Sequence, residues 1–251
     1  MTNAAIVNAP NLYVDGLIPS LPGGSMVVPI TAGAARDSTN VNDIIAPIPL
    51  MLNLEASGVN GIDTGVAVAN TFYAIYVIGD STHYAPTAVL ASLDFLSPVI
   101  PGGYDMFRRI GSLYVVPGPS IGGSYISGNN TRREISFAGI IPIISGFNAT
   151  TPTIIDLSGV VPPFVYPVNS QRVTEVKISI AFTSALPSHV FTISGLVGRV
   201  VGGGALGAGG APTTFNTTLD VITGSPARLL AAVSNTADSV TLACYGYVDY
   251  L

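Results

Sequence analysis

Hydrophobic and polar residues alternate over several short stretches of this chain, which is the pattern of half-buried β-strands. Over residues 174–182 the apolar positions fall on every second residue, and charged or hydroxyl side chains lie between them (Thr174, Val176, Ile178, Ile180 and Phe182 against Glu175, Lys177 and Ser179). A period of two places the two sets on opposite faces of a strand. The stretch 132–137 repeats the pattern more weakly, and it predicts that Arg132, Arg133 and Glu134 lie on a solvated strand face.

Two other stretches are apolar on both faces. Residues 72–78 read Phe-Tyr-Ala-Ile-Tyr-Val-Ile, and the C-terminal residues 243–251 are similar. Without helices to cover a parallel sheet, such a strand lies in the centre of a sandwich or its outer face meets another subunit. In the C-terminal stretch, Tyr245 and Tyr247 are predicted to share one face. That face is either a subunit interface, where tyrosine is favoured, or the rim of a core.

Glycine and proline interrupt the apolar runs, since the 251 residues include 28 Gly and 19 Pro. The best helix candidate, residues 228–233, is too short to matter, and the glycine-rich stretch 202–210 is predicted to be a loop. Apolar runs rich in Val, Ile, Thr and Tyr between turn residues are typical of strands. The sequence therefore predicts an all-β fold of antiparallel β-sandwich or jelly-roll-like modules, two in tandem, over residues 1–116 and 117–251.

The composition indicates that other protein subunits cover part of the surface of this fold. Only 9% of the residues are charged, whereas 48% are hydrophobic; soluble domains carry roughly 25% charged residues. No stretch reaches the ~18 consecutive apolar residues of a membrane-spanning helix. The net charge of −5 and a single lysine argue against a nucleic-acid partner. We therefore expect a homo-oligomer, with no membrane or nucleic-acid partner.

Candidate chemistry is sparse. Cys244 is the single cysteine, which excludes an intrachain disulfide and predicts a buried small hydrophobe. The N-terminus lacks the basic and apolar regions of a secretory signal, so we expect synthesis in a cytoplasm. The two histidines, His83 and His189, have no metal-binding spacing between them and are predicted to lie in turns.

Two catalytic-looking motifs fail on context. Residues 202–207 match G-x-G-x-x-G but no helix can begin after them, so no nucleotide cofactor is predicted. Residues 118–122 match G-x-S-x-G around Ser120, followed in hydrolase order by Asp156 and His189, but the strand-turn-helix of a nucleophile elbow is missing. The chain is therefore predicted not to be an enzyme, with no catalytic, cofactor-binding or metal-binding residues.

Four segments resemble tail and fibre-type structural proteins of tailed bacteriophages. They are Ala32–Ile44, Gly61–Gly65, Ala69–Ile78 and Pro101–Gly111, and they occur in the expected order. The chain departs from the common pattern at Phe72, where those proteins often have tryptophan. The resemblance covers residues 30–111 and continues weakly to the C-terminus. It implies a virion structural role, in a tail, a fibre or a capsid decoration, for a protein made in the host bacterial cytoplasm. By analogy with fibre-like proteins, the homo-oligomer is guessed to be a trimer.

Within these segments the residues that carry the resemblance have structural interpretations. Arg36 and Asp37 are expected to form an ion pair across a turn. One of Arg108 and Arg109 is expected to stack on a neighbouring aromatic ring, and Gly111 to mark a strand end or bulge. Asp63 belongs to the same set, as do the oxygen-bearing residues of the 37–43 loop (Asp37, Asn40, Asn42 and Asp43). That loop lacks the spacing of a calcium site and is explained by turn hydrogen bonds, although Ca²⁺ binding stays open.

Three classes of function compete. A structural subunit that assembles through apolar sheet faces is ranked first. A receptor-binding adhesin module for a host glycan or surface protein is second, and its candidate contacts are loop tyrosines (Tyr84, Tyr104 and Tyr125). A polysaccharide hydrolase ranks last, because it requires two carboxylates in one groove and the acidic residues are scattered.

Overall fold

The all-β prediction is confirmed. The computed structural model describes residues 13–117, 120–122, 124–128, 132–162, 174–184, 189–195, 200–204, 213–223 and 228–251, and within these ranges the regular structure is β-strand throughout. Every strand pairing with a resolved register is antiparallel. The same ranges hold no helix with the length and hydropathy of a membrane span. The chain divides into two compact units.

Unit 1 comprises residues 1–122, 126–133 and Leu251. Its strands are β1 (Val14–Gly16), β2 (Val27–Ile30), β3 (Gly33–Arg36), β4 (Asp43–Ala46), β5 (Leu50–Asn53), β6 (Thr71–Gly79), β7 (Ala88–Ser92), β8 (Met106–Val116) and β9 (Ser120–Ile121). They form sheets in the orders β1-β3-β4, β2-β5 and β7-β6-β8-β9. Strand β6, the stretch that is apolar on both faces, lies between β7 and β8 and is buried from Phe72 onward. Its two apolar faces are therefore explained by a central position within the unit.

Unit 2 comprises residues 123–125 and 134–250. The strands of this half of the chain are β10 (Ser124–Gly128), β11 (Arg132–Phe147), β12 (Thr153–Asp156), β13 (Thr174–Ser184), β14 (Val190–Gly195), β15 (Val200–Gly204), β16 (Thr213–Thr223), β17 (Arg228–Val233) and β18 (Ser239–Tyr250). Two sheets result, in the orders β10-β11-β18-β13-β16 and β12-β17-β14-β15. The rings of Phe182 in the first sheet and Phe191 in the second lie 5.1 Å apart, so the two sheets pack face to face as in a sandwich.

The alternation predicted for residues 174–182 is present in β13 over residues 175–182, whose side chains the structure describes. Val176, Ile178 and Phe182 are fully buried, and Lys177 on the opposite face pairs with Glu134 across 3.1 Å. The stretch 228–233, the best helix candidate, is instead strand β17, because β12 and β14 pair with it on either side. Tertiary pairing decides the conformation of so short a segment. Gly202, Gly203 and Gly204, predicted to lie in a loop, pair with β14, and the rest of that stretch lies outside the described residues.

The prediction that Tyr245 and Tyr247 share one face is wrong. Lys177 pairs with Gly246 and Ile178 with Cys244, so Tyr245 is an extra residue that forms a bulge. A bulge reverses the alternation of faces beyond it. Tyr247 is consequently fully buried, with its ring 5.8 Å from that of Phe137, whereas Tyr245 is half-buried. Tyr247 belongs to the core of unit 2 and not to a surface contact.

Candidate binding cleft and assembly surface

The loop that joins β6 to β7, residues 80–87, is held in shape by one carboxylate and is called here the Asp80 loop. Asp80 Oδ1 accepts from the N–H of Thr82 (2.9 Å) and from its hydroxyl (2.6 Å). Oδ2 accepts from the N–H groups of Tyr84 and Ala85, each at 2.9 Å. The Thr82 hydroxyl and these N–H groups hold the pKa of Asp80 well below its usual value. His83 adopts a left-handed conformation (φ 60°) at the tip of the loop.

A second carboxylate fastens this loop to the segment before β8. Asp105 accepts from the N–H of Ser81 at 2.7 Å and from the Ser81 hydroxyl. The neighbouring Tyr104 donates its hydroxyl to the carbonyl of Pro86 across 3.0 Å. Burial of the Tyr104 ring, followed by the charge of Asp80, raises the pKa of its phenol. The Asp80 loop is thus fastened near both of its ends, at Ser81 and at Pro86, by side-chain hydrogen bonds.

An open cleft of about 550 Å³ lies between the Asp80 loop and residues 103–105. Its lining residues are neutral or acidic: Asp80, Thr82, Tyr84, Ala85, Gly103, Tyr104 and Asp105. Tyr84 is 93% exposed, more than any other large hydrophobic side chain that the structure describes. Two of the three loop tyrosines proposed from the sequence, Tyr84 and Tyr104, therefore meet in one cleft. The side chain of the third, Tyr125, lies outside the described residues.

The 37–43 turn has a different ion pair from the one expected. Arg36 Nε pairs with Asp43 across 2.9 Å, and the expected pair with Asp37 is wrong. Asp37 instead accepts from the Thr39 hydroxyl (2.6 Å) and from the N–H groups of Val41 (2.8 Å) and Asn42 (3.1 Å). The strand pairing of β3 with β4 places Arg36 opposite Asp43. The Asp37 carboxylate is bound by hydrogen-bond donors of the turn instead.

The charge state of Asp37 follows from these bonds. Burial raises the pKa of Asp37, but the hydrogen bonds from Thr39 and from the backbone N–H groups of Val41, Asn42 and Asn40 outweigh it, and the pKa is lowered. Asn40 takes a left-handed conformation (φ 64°), which asparagine tolerates. The oxygens of Asp37 are thus occupied by turn donors. No group of three or more His, Cys, Asp or Glu side chains suited to a metal ion occurs within the described ranges.

Asp63 joins two exposed loops of unit 1. Its N–H donates to the carbonyl of Ala91 (2.9 Å), and its Oδ2 accepts from the N–H of Val99 (3.0 Å). It thereby links residues 57–70 to residues 93–99. These two segments together are called here the Asp63 loops. The large hydrophobic side chains that these loops expose are Val59 (41%), Val66 (76%), Val68 (49%), Leu93 (52%), Leu96 (50%) and Val99 (60%). Sequence periodicity does not locate this set of exposed apolar side chains, because it lies in loops.

The arginines have unequal roles. Arg108 and Arg109 are half-buried in β8, opposite Val77 and Tyr76 of β6, and the stacking expected of one of them stays a prediction. The bulge expected near Gly111 lies at Ile110, which the register skips. Arg133 was predicted to be solvated and is only 2% exposed.

The Arg133 guanidinium serves backbone carbonyls of unit 1. It donates to the carbonyls of Leu17 (2.9 Å), Gly16 (2.8 Å) and Ile110. Arginine suits this position because it offers five donors in a fixed fork. Alternation in sequence cannot reveal such a role, because the acceptors are backbone atoms about 20 to 120 residues away.

The structure gives His189 and Asp156, which follow Ser120 in hydrolase order, separate partners. His189 Nδ1 lies 2.8 Å from Oδ1 of Asp238, a fully buried carboxylate, and Asp156 instead accepts from the N–H of Ser158. The side chain of Ser120 lies outside the described residues. Asp238 therefore orients His189 in unit 2, and this pair was not found from sequence because 49 residues separate its members.

Comparisons with known proteins do not assign the chain to a family. No protein-family model matches the chain, and no curated protein matches it. Among solved structures, the chain is similar to the infectious bursal disease virus Gx strain at 11% identity and a TM-score of 0.25, covering 95% of this chain and 68% of that one. It is also similar to infectious bursal virus-derived T=1 particles (12% identity, TM-score 0.23, 96% and 65% covered). The Gt strain gives 10% identity, a TM-score of 0.21, and 94% and 66% covered. The chain spans about two thirds of the length of those proteins, and at these TM-scores the likeness carries no argument about function.

Proposed function

We propose that this protein is a non-enzymatic structural subunit of a virion, which assembles with copies of itself and with other virion proteins through apolar surfaces. The observation that carries the proposal is the set of exposed apolar side chains on the Asp63 loops. Among the residues between 64 and 70 and between 93 and 99, the single charged residue is Asp94. Contiguous apolar patches on soluble proteins are typical of interaction surfaces.

The composition supports the same proposal. Only 9% of the residues are charged, so few charged side chains are available to hydrate the surface. For the same reason, few like charges repel one another across repeated subunit contacts. Burying a few hundred Å² of apolar surface at about 25 cal/mol per Å² contributes several kcal/mol per contact. The sequence resemblance of residues 30–111 favours a tailed-bacteriophage particle, with the subunit in a tail, a fibre or a capsid decoration.

Sedimentation velocity on purified variants tests the assembly part of the proposal. Leu96→Ser with Val99→Ser removes apolar surface from the Asp63 loops, and we expect it to lower the oligomer fraction at micromolar concentration. Val41→Ser is the matched control, because Val41 is 67% exposed but lies in the 37–43 turn. Equal sedimentation of both variants and the wild type would count against the Asp63 loops as the contact. A density map of the intact particle tests the virion part, because a structural subunit occupies a repeated position in it.

A second candidate function is attachment to a cell-surface receptor, as the adhesin module of a tail fibre. The observation that favours it is the cleft in which Tyr84 and Tyr104 meet, since an aromatic side chain 93% exposed on a pinned loop is a ready contact surface. Binding of fluorescently labelled protein to intact cells of the host, compared with Tyr84→Ala, tests this candidate.

A further inference from the structure

Tyr84 presents its ring to solvent from a loop that cannot easily fold it away. Its own N–H is bonded to Asp80, as is the N–H of the next residue, Ala85. The bonds from Ser81 to Asp105 fasten the other side of the loop. A ring held in this way loses little conformational freedom when a ligand stacks on it, and a tyrosine ring has only two side-chain torsions to restrict.

The cleft also has unused acceptors, and they belong to Asp105. Each oxygen of Asp80 already accepts two hydrogen bonds, so the lone pairs of that carboxylate are filled. Among the residues that the structure describes, each oxygen of Asp105 accepts a single bond, one from the N–H of Ser81 and one from its hydroxyl. A carboxylate accepts about four bonds. Asp105 therefore has room for two further donors on the exposed side of the cleft.

The charges select among ligands. Within the described part of the chain, two carboxylates and no basic side chain line the cleft, so a uronate, sialate or phosphate group would be repelled. A lone cation gains little from an exposed aromatic ring in water, because cation–π attraction needs desolvation to be strong. A ring with one apolar face and adjacent hydroxyl donors satisfies both the tyrosine and the carboxylate.

We propose that this cleft binds a neutral pyranose sugar, which stacks its C–H face on Tyr84 and donates two adjacent hydroxyls to Asp105. Tyr104, whose hydroxyl is bonded to Pro86, forms the fixed wall that sets the depth of the cleft. Asp80 is a positioning residue that holds the loop. The inference rests on the second candidate function, attachment, and is independent of self-assembly.

Saturation-transfer NMR with the methyl glycosides of glucose, galactose and mannose at millimolar concentration tests the site. We expect at least one of them to bind the wild-type protein, with signal transferred to its C–H protons. Tyr84→Ala should raise Kd about tenfold, because the stacking surface is lost. Tyr84→Phe should bind within about twofold of wild type, because stacking uses the ring and not the hydroxyl. Asp105→Asn should raise Kd about threefold to tenfold, because one charge-assisted acceptor is replaced by an amide.

Controls make each outcome decisive. Val66→Ala, on the exposed Asp63 loops, should bind sugar as the wild type does, and circular dichroism of Tyr84→Ala should match the wild type because the ring has no packing role. Choline and sialic acid serve as the cationic and anionic probes. Binding of either one in place of the neutral glycosides would refute the ligand class. A glycan array bound equally by wild type and Tyr84→Ala would refute the site while leaving attachment intact. Failure of the wild type to bind any glycoside, any array glycan or host cells would overturn both.

Discussion

Replacing Arg133 by methionine tests whether unit 1 depends on a buried cation that serves backbone carbonyls. Methionine keeps much of the apolar stem but removes every donor. The residues Leu17 and Ile110 are fully buried, so water cannot take the place of the guanidinium at their carbonyls. The third acceptor, the carbonyl of Gly16, belongs to a half-buried residue that water can reach. The variant therefore leaves two buried acceptors without partners.

The magnitude follows from those two acceptors. A buried polar group left unpaired costs about 1–3 kcal/mol, so two of them destabilise unit 1 by about 4 kcal/mol. For a chain of this size, 1 kcal/mol corresponds to about 2–4 °C in Tm, which gives a fall of roughly 8–16 °C. The Tm of Arg133→Lys should lie between that of Arg133→Met and that of the wild type, because one ammonium group lacks the planar fork that reaches three carbonyls.

Urea unfolding followed by tyrosine fluorescence, together with calorimetry, measures the change. Arg132→Met is the matched control, because Arg132 is the adjacent residue and is only half-buried; its loss should cost less than about 1 kcal/mol. Equal stability of the Arg133→Met and Arg132→Met variants would refute the assignment of Arg133 to these carbonyls.

Two further predictions concern titratable groups. Because the pKa of Asp37 is lowered from 3.8 on folding, its stabilising effect is present above about pH 4 and is lost as the pH falls through the folded pKa. Asp37→Asn should therefore lower the free energy of unfolding at pH 7 by about 1–2 kcal/mol, which thermal unfolding measures as a lower Tm. The difference in Tm from wild type should shrink toward pH 3. A difference that is independent of pH would contradict the role of the carboxylate. Burial raises the pKa of Cys244 to about 12, although a hydrogen bond to Gly246 lowers it in part. The native protein should therefore not react with Ellman's reagent at pH 8, and one thiol should appear on unfolding in urea; rapid reaction of the native protein would show that the strand is open.

Much of the fold follows from local sequence. Glycine and proline spacing excludes long helices, and alternation over residues 174–182 identifies the buried face of β13, with Val176 and Ile178 at 0% exposure. The fully apolar stretch 72–78 predicts either a central strand or a strand that faces another subunit, and the structure gives it the central position. These predictions succeed because the period of a strand and the burial of its faces are properties of consecutive residues.

What failed depends on partners that are distant in sequence. A bulge at Tyr245 moves Tyr247 into the core, and only the pairing with β13 reveals it. Arg36 has Asp37 beside it in sequence, yet the register of β3 with β4 gives it Asp43. The sequence indicates Tyr84 and Tyr104 as separate candidate contacts and does not indicate the cleft. They line one cleft because the pairing of β6 with β8 places Gly79 opposite Met106.

The mass of the purified protein in solution shows whether other copies of the chain cover its exposed apolar loops. Multi-angle light scattering behind size exclusion, over a concentration series from about 1 to 100 μM, gives that mass without assuming a shape. We expect a multiple of 25.7 kDa that persists at the lower concentrations. A single monodisperse species of 25.7 kDa across the whole series would contradict self-assembly through these surfaces.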